Sequence, residues 1–313
     1  TLMTFLETIL LMLAGMTFFD AICHSFATMA TGGFSPRTAS IGYYNSVWIE
    51  SIIILFMFLA STNFTLHYNC LQGKVKQYFY SEEFRFYLGV TIVSTIVVML
   101  FNARDHIYTV FGENFRYAVF QVVSLQTSTG FCTADFDKWA HVSRLLLVII
   151  MFFGGCAGST GGGIKNVRML LLWRYFRLQL IQLIHPKAIK TVKLQGVSVS
   201  ENVMQSILGF FFLYILVFIV CSLAVTAQDI DIVTATSAVA TTLNGVGPGL
   251  GMVGATCNFE HLPVFSKFVL MFCMLVGRLE IFTVVILFAP AYWKECKPPV
   301  FKWDQKNKTS REE

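Results

Sequence analysis

The stretch "NFRYAVFQVVSLQTSTGFCTADF" occupies residues 114–136 and follows one plan throughout: a dozen mildly apolar, helix-compatible residues that run into Thr, Ser and Gly. Two other stretches repeat the plan, "DAICHSFATMATGGFSPRTAS" (20–40) and "DIVTATSAVATTLNGVGPGLG" (231–251). Aligned on their glycines, Gly33, Gly130 and Gly247 stand 97 and 117 residues apart. That interval holds one membrane span, one re-entrant segment and a second span.

Each copy begins near an acid or amide, Asp20, Asn114 or Asp231, which is expected to cap a helix N-terminus. A helix of a dozen residues is roughly 18 Å long. It therefore enters a hydrocarbon core of about 30 Å and stops part-way. Non-helical backbone at that depth is tolerated only where it lines water or is buried in protein. The expected product is a ring of carbonyl oxygens from 30–33, 127–130 and 244–247, supplemented by the negative C-terminal ends of the short helices. Such a ring suits a dehydrated monovalent cation. The alternative is three Gly-rich external turns.

The rest of the chain agrees with a lipid environment. Of 313 residues, 55% are hydrophobic and 13% charged, and the mean hydropathy is +0.64. This points to an all-α integral membrane protein. Apolar runs lie near 46–66, 86–101, 144–157, 203–227 and 264–293, with a partial one at 1–19. The opening is neutral and apolar, without Met or a basic segment, so 1–17 does not read as a signal peptide. It reads as a chain entered part-way.

Segments 70–85, 165–193 and 294–311 hold 3, 7 and 6 of the 23 Lys and Arg residues. By the positive-inside rule these are cytoplasmic, and the loops carrying Arg37, Arg104, Arg116, Lys138, Arg144 and Lys267 are external. No aromatic–basic platform accompanies the charge, so nucleic acid is not an expected partner; membrane lipid is. The eight cysteines are scattered without a CxxC pair, and the six histidines show no metal-ligand spacing. No nucleophile–base–acid constellation suggests an enzyme.

The glycine-dense stretch "FFGGCAGSTGGGIK" (152–165) resembles a phosphate loop, but Ile164 stands between the last glycine and Lys165, which breaks the required register. Three readings remain. Gly154–Gly158 and Gly158–Gly162 have the spacing of close helix packing, and the segment also suits a cytoplasmic linker. The third reading is a break in a membrane helix, since glycine costs about 1 kcal/mol in a helix interior relative to alanine. Ser159 and Thr160 would then cap the helix that resumes. Beyond it, "KNVRMLLLWRYFRLQLIQLIHPKAIK" reads as a helix along or into the cytoplasmic interface.

Arg278 is the one basic residue in the middle of an apolar span, Arg144 and Lys267 lying at or near the starts of theirs. An intramembrane arginine costs at least about 2.5–3.5 kcal/mol on insertion scales and is seldom idle. Either it pairs with a carbonyl or an acid on another helix, such as Glu50, or it serves the pathway.

The threefold pattern, with "ATGGFSPRTAS", "TSTGFCTADF" and "NGVGPGLG", together with "FGGCAGSTGGGIK" and "GRLEIFT" (277–283), resembles the Trk/Ktr/HKT superfamily of cation transporters and, within it, the bacterial potassium-uptake subunits. The resemblance implies membrane helix–re-entrant pore helix–membrane helix repeats as in potassium channels. This chain matches the last three of four: 1–73, 74–168 and 201–295, with a cytoplasmic or interfacial connection at 169–200 and a cytoplasmic tail at 296–313. It also implies that Thr31, Gly32 and Gly33, then Ser128, Thr129 and Gly130, then Gly245, Val246 and Gly247 form filter strands for K+, with Asn244 just below the last.

The family's intramembrane gate loop falls on Gly155, Gly158, Ser159, Thr160, Gly161, Gly162, Gly163 and Lys165, and the "GRLE" arginine on Arg278. The implied function is potassium uptake across the bacterial inner membrane, with K+ held by backbone carbonyls and no organic cofactor. Its implied partners are a second copy of the chain and a cytoplasmic, TrkA-like ring of nucleotide-binding regulatory subunits. Na+- or H+-coupled symport and a non-conducting membrane scaffold are the competing functions.

Overall fold

The structure, a computed structural model, describes residues 1–186, 191–288 and 292–293. The expected tail at 296–313, most of the third basic segment and Cys296 lie outside the described residues.

Three helical units recur along the chain. The first consists of α1 (Leu2–Leu13), the short α2 (Phe18–Met29), and α3 (Val47–Ala60) continued by α4 (Phe64–Leu71). A single turn, α5 (Lys76–Tyr80), leads to the second unit: α6 (Glu82–Arg104), the short α7 (Phe111–Gln126), and α8 (His141–Met151), followed after the glycine stretch by α9 (Asn166–Ile184). A two-residue hairpin, β1 (Lys193–Leu194) against β2 (Val197–Ser198), precedes the third unit. That unit contains α10 (Glu201–Thr226), the short α11 (Ile232–Asn244), and α12 (Val264–Leu279) with α13 (Ile281–Phe288). In every unit the short middle helix contacts both outer helices.

The division of labour follows from composition. The middle helices bury their C-terminal parts to different degrees: from Thr234 to Asn244 only Thr236 is partly exposed, and Phe120–Gln126 of α7 is buried throughout, whereas α2 buries one face and exposes Phe18, Phe19 and Phe26. Many of their hydroxyls turn back onto their own helix, as Thr28 does to the His24 carbonyl (2.8 Å) and Thr242 to that of Ala238 (2.7 Å). These polar side chains therefore need no water. The outer helices instead expose Phe5, Trp48, Val93, Phe212 and Phe268. Apolar exposure on that scale would be anomalous in water and is expected against acyl chains. Helices α6 and α10 are each long and apolar enough to cross a membrane alone.

Neighbouring units are tied on the face opposite the basic segments. Arg116 of the second unit forks onto Glu50 of the first (2.5 and 2.6 Å). Asp137 of the second accepts the Gly251 N–H of the third at 2.7 Å. On the other face the first two basic segments meet, where Glu82 accepts from Arg174 (2.8 Å) and from the Gln195 N–H (2.9 Å).

Several expectations are corrected. Asp231 does cap α11, accepting the Thr234 N–H at 3.1 Å. Asp20, however, sits inside the first turn of α2, which Thr17 caps, and instead pairs with Arg37 at 2.8 Å. Helix α7 starts three residues before Asn114, whose amide donates to the Met99 carbonyl across the unit (2.9 Å). The runs 46–66 and 264–293 are not straight spans: α3 and α4 are bent by 102° at Ser61–Asn63, and α12 and α13 by 112° at Glu280. Glu50, taken up by Arg116, is not the partner of Arg278.

Candidate functional site

The short helices end alike. The first residue past the αR turn adopts a left-handed backbone in each copy: Thr31 (φ 52°), Ser128 (φ 56°) and Gly245 (φ 67°). Two residues later come Gly33 (φ 65°), Gly130 (φ 82°) and Gly247 (φ 107°), again left-handed. A β-branched residue such as Thr31 seldom adopts this conformation, and strain of about 1–3 kcal/mol persists only where the surroundings enforce it. Alternating left-handed residues lets successive carbonyls face one side, whereas in an extended strand they would point alternately to both. The sequence register of 97 and 117 residues is thus a register of backbone conformation.

The segments also contact one another in order. A Cβ on Gly33 would overlap the Thr129 carbonyl oxygen, and one on Gly130 would overlap that of Val246. Each glycine thus seats against the carbonyl just before the next glycine of the series. The corresponding side of Gly247 is open. A cavity of about 530 Å³ lies against these backbones, lined by Ala30–Phe34, Ser128, Gly130, Thr241, Thr242 and Asn244–Pro248. Tyr214, buried in α10, holds Asn244 beneath it, donating to the side-chain oxygen at 2.6 Å.

Residues 152–165 fold back under this cavity as a loop with a hydrogen-bonded neck. The Gly154 N–H donates to the Ile164 carbonyl (2.9 Å), the Asn166 N–H to that of Gly155 (3.1 Å), and the Asn166 side chain to that of Gly154 (2.5 Å). The helix-break reading therefore holds. The glycines are not a helix-packing motif, because none of them is helical. They do allow close approach: a Cβ on Gly154 would strike the Gly162 carbonyl, and one on Gly162 would strike that of Asn244. Ser159 and Thr160 do not cap α9, which starts after Lys165 without a side-chain cap.

The loop touches the base of all three segments. The Thr31 hydroxyl donates to the Thr160 carbonyl at 2.9 Å, the Gly162 N–H donates to Ser128 Oγ at 2.5 Å, and Gly162 lies against Asn244. Arg278, in the last turn of α12, donates to the same Thr160 carbonyl at 3.2 Å. Below the loop a second cavity of about 320 Å³ is lined by Ser159, Lys165, Arg168, Arg278 and Glu280. Gly162, Gly277 and Arg278 line both cavities and so form the wall between them. Lys165 donates to the Gly161 carbonyl, and Arg168 pairs with Glu280 at 2.7 Å.

Residues that the sequence reading passed over hold the loop sideways. The bend after α3 offers the Ala60 carbonyl to the Thr160 hydroxyl (3.1 Å) and the Ser61 carbonyl to the Cys156 N–H (2.8 Å). Ser61 also donates to the Thr127 carbonyl at 3.1 Å. Phe64 N–H donates to the Gly158 carbonyl (3.1 Å), and Glu83 accepts from the loop as well. Polar residues in or beside apolar runs, "STN" at 61–63, Glu83 and Tyr214, were the available signals.

The site thus gathers three glycine-bearing backbone segments along one cavity, above a hydrogen-bonded loop. Comparison with known proteins places the chain. It is 41% identical over 295 residues to the Trk system potassium uptake protein TrkH of Escherichia coli K12, covering 94% of this chain and 61% of that protein. It is 44% identical over 285 residues to the protein of the same name from Vibrio parahaemolyticus, covering 90% of this chain and 58% of the relative. The crystal structure of the potassium transporter TrkH from Vibrio parahaemolyticus superposes with a TM-score of 0.88 at 42% identity, over 93% of this chain and 62% of that one. The chain thus spans about three fifths of the length of the relatives it matches. The model of the TrkH cation transport protein family matches residues 1–295, and the chain belongs to that family.

Proposed function

We propose that this chain supplies three of the pore repeats, 1–73, 74–168 and 201–295, of a K+-uptake protein in the bacterial inner membrane. K+ is the substrate. It exchanges its water for the backbone carbonyls of Thr31–Gly33, Ser128–Gly130 and Gly245–Gly247, with Asn244 below, and moves down its electrochemical gradient. The C-terminal ends of α2, α7 and α11 add negative potential. The loop carrying Gly155, Gly158–Gly163 and Lys165 obstructs the path beneath, braced by Arg278, and conduction requires it to move. The basic face is cytoplasmic by the positive-inside rule. It is the face to which a regulatory ring of nucleotide-binding subunits would dock, and two copies of the membrane protein would pair.

One observation carries this reading: a single loop reaches the base of all three re-entrant segments, bonding to Thr31 and to its equivalent Ser128 and resting on Asn244, one position before the third equivalent, Gly245. The test is tracer Rb+ flux into liposomes containing the full-length protein, with Na+ and proton gradients varied independently. Flux that follows the Rb+ gradient alone supports the channel-like reading. Flux that requires a Na+ or proton gradient replaces it with coupled symport, and no flux favours a scaffold.

A further inference from the structure

We infer that Glu83 is a positioning residue that holds the loop closed, an inference resting on the proposed gating role of 152–165. Glu83 is the second residue of α6, only 9% exposed, and belongs to neither the loop nor the re-entrant segments. One of its carboxylate oxygens, Oε1, accepts two backbone donors: the Ala157 N–H at 2.7 Å and the Val167 N–H at 3.1 Å. Ala157 lies in the loop and Val167 in the first turn of α9, just past the neck.

A single carboxylate oxygen thus ties one residue of the loop, Ala157, and the first turn of the helix that follows it to α6, a helix long and apolar enough to cross a membrane. The contact is the charged counterpart of the other lateral holds, which come from the neutral carbonyls of Ala60 and Ser61. Hydrogen bonds to an ionised acceptor are roughly twice as strong as neutral ones. The Val167 N–H is also one of the first-turn donors of α9 that have no intrahelical partner, so the carboxylate sits where the helix dipole favours it. Moving the loop off the filter would break the Ala157 bond and leave a buried carboxylate with one backbone donor, that of Val167, which disfavours the open arrangement. The neighbouring Glu82 does not touch the loop; its bonds go to Arg174 and Gln195.

The test compares basal Rb+ flux, in liposomes containing the full-length protein, for Glu83→Met, Glu83→Gln, Glu82→Gln and a variant lacking 158–161. Glu83→Met keeps the shape and removes the acceptor, and basal flux is expected to rise about tenfold. Glu83→Gln keeps a neutral acceptor and is expected to give a smaller rise; Glu82→Gln is expected to match the parent. K+/Na+ selectivity should be unchanged throughout, whereas a merely structural lesion would lower folded yield and flux together.

If the loop deletion raises flux and Glu83→Met does not, the positioning role is overturned and the gate stands. If the loop deletion itself fails to raise flux, the gate reading falls first. Should Glu83→Met not fold, hydrogen exchange of the Ala157 and Val167 amides in Glu83→Gln decides. Faster exchange at both supports the clamp, and exchange at the parental rate overturns it.

Discussion

Thr31 and Arg278 donate to the same acceptor, the carbonyl oxygen of Thr160, at 2.9 and 3.2 Å. One residue opens the first re-entrant segment and the other ends α12 of the third unit, so a single loop carbonyl joins two repeats that are remote in sequence. The carbonyl also accounts for the intramembrane arginine. Among the described residues Arg278 bonds to this loop carbonyl and to no carboxylate, and on the proposed gating that bond breaks when the loop moves.

Replacement of Arg278 by alanine is therefore expected to raise basal Rb+ flux. A hydrogen bond from a charged group contributes about 1.5–3 kcal/mol when sheltered, and Arg278 is exposed to the cavities, so a rise of roughly three- to tenfold is expected. Arg278→Lys should lie between parent and alanine. Thermal unfolding measured in parallel checks the reading, since an unfolded Arg278→Ala protein would mark the residue as structural.

Substitutions at the three aligned glycines should differ in a defined order. Gly33→Ala and Gly130→Ala meet both a left-handed backbone and a neighbouring carbonyl. Gly247→Ala meets only the backbone conformation, which costs about 1–2 kcal/mol. The K+/Na+ flux ratio should fall most for Gly130→Ala and Gly130→Ser, comparably for Gly33→Ala, and least for Gly247→Ala. Equal ratios for all would remove these residues from the filter.

The ion pair between Arg116 and Glu50 should matter for stability and not for selectivity. Glu50 is 1% exposed, and Arg116→Ala leaves its charge buried without a partner. The expected loss is about 3–5 kcal/mol, seen as a lowered Tm in detergent. Arg104→Ala removes a pair whose arginine side chain is 67% exposed, and a change below about 1 kcal/mol is expected there.

The re-entrant plan was legible in sequence because its signals are local. Asp231 caps the short helix that begins beside it, and the aligned Gly33, Gly130 and Gly247 all adopt the left-handed backbone at the spacing read from the sequence. The bend at Glu280 and the bend at Ser61–Asn63 were not legible. Both interrupt runs whose hydropathy is that of an ordinary span, and the second is held by contacts with residues 94 and 95 positions away, Gly158 and Cys156. Glu83 was missed for the same reason. Beside Glu82 at a helix start it looks like a solvated first-turn acid, and only the fold brings Ala157 and Val167 onto it. Asn114 misled because its amide reaches across the unit and does not cap its own helix.

The most direct measurement of the central claim, that 152–165 obstructs the pathway beneath the filter, is basal Rb+ flux of full-length protein in liposomes with 158–161 removed and the hydrogen-bonded neck at Gly154, Ile164 and Asn166 left in place. The account predicts a rise of at least about tenfold over the parent with the K+/Na+ ratio preserved. A folded protein whose flux is unchanged or reduced would contradict it.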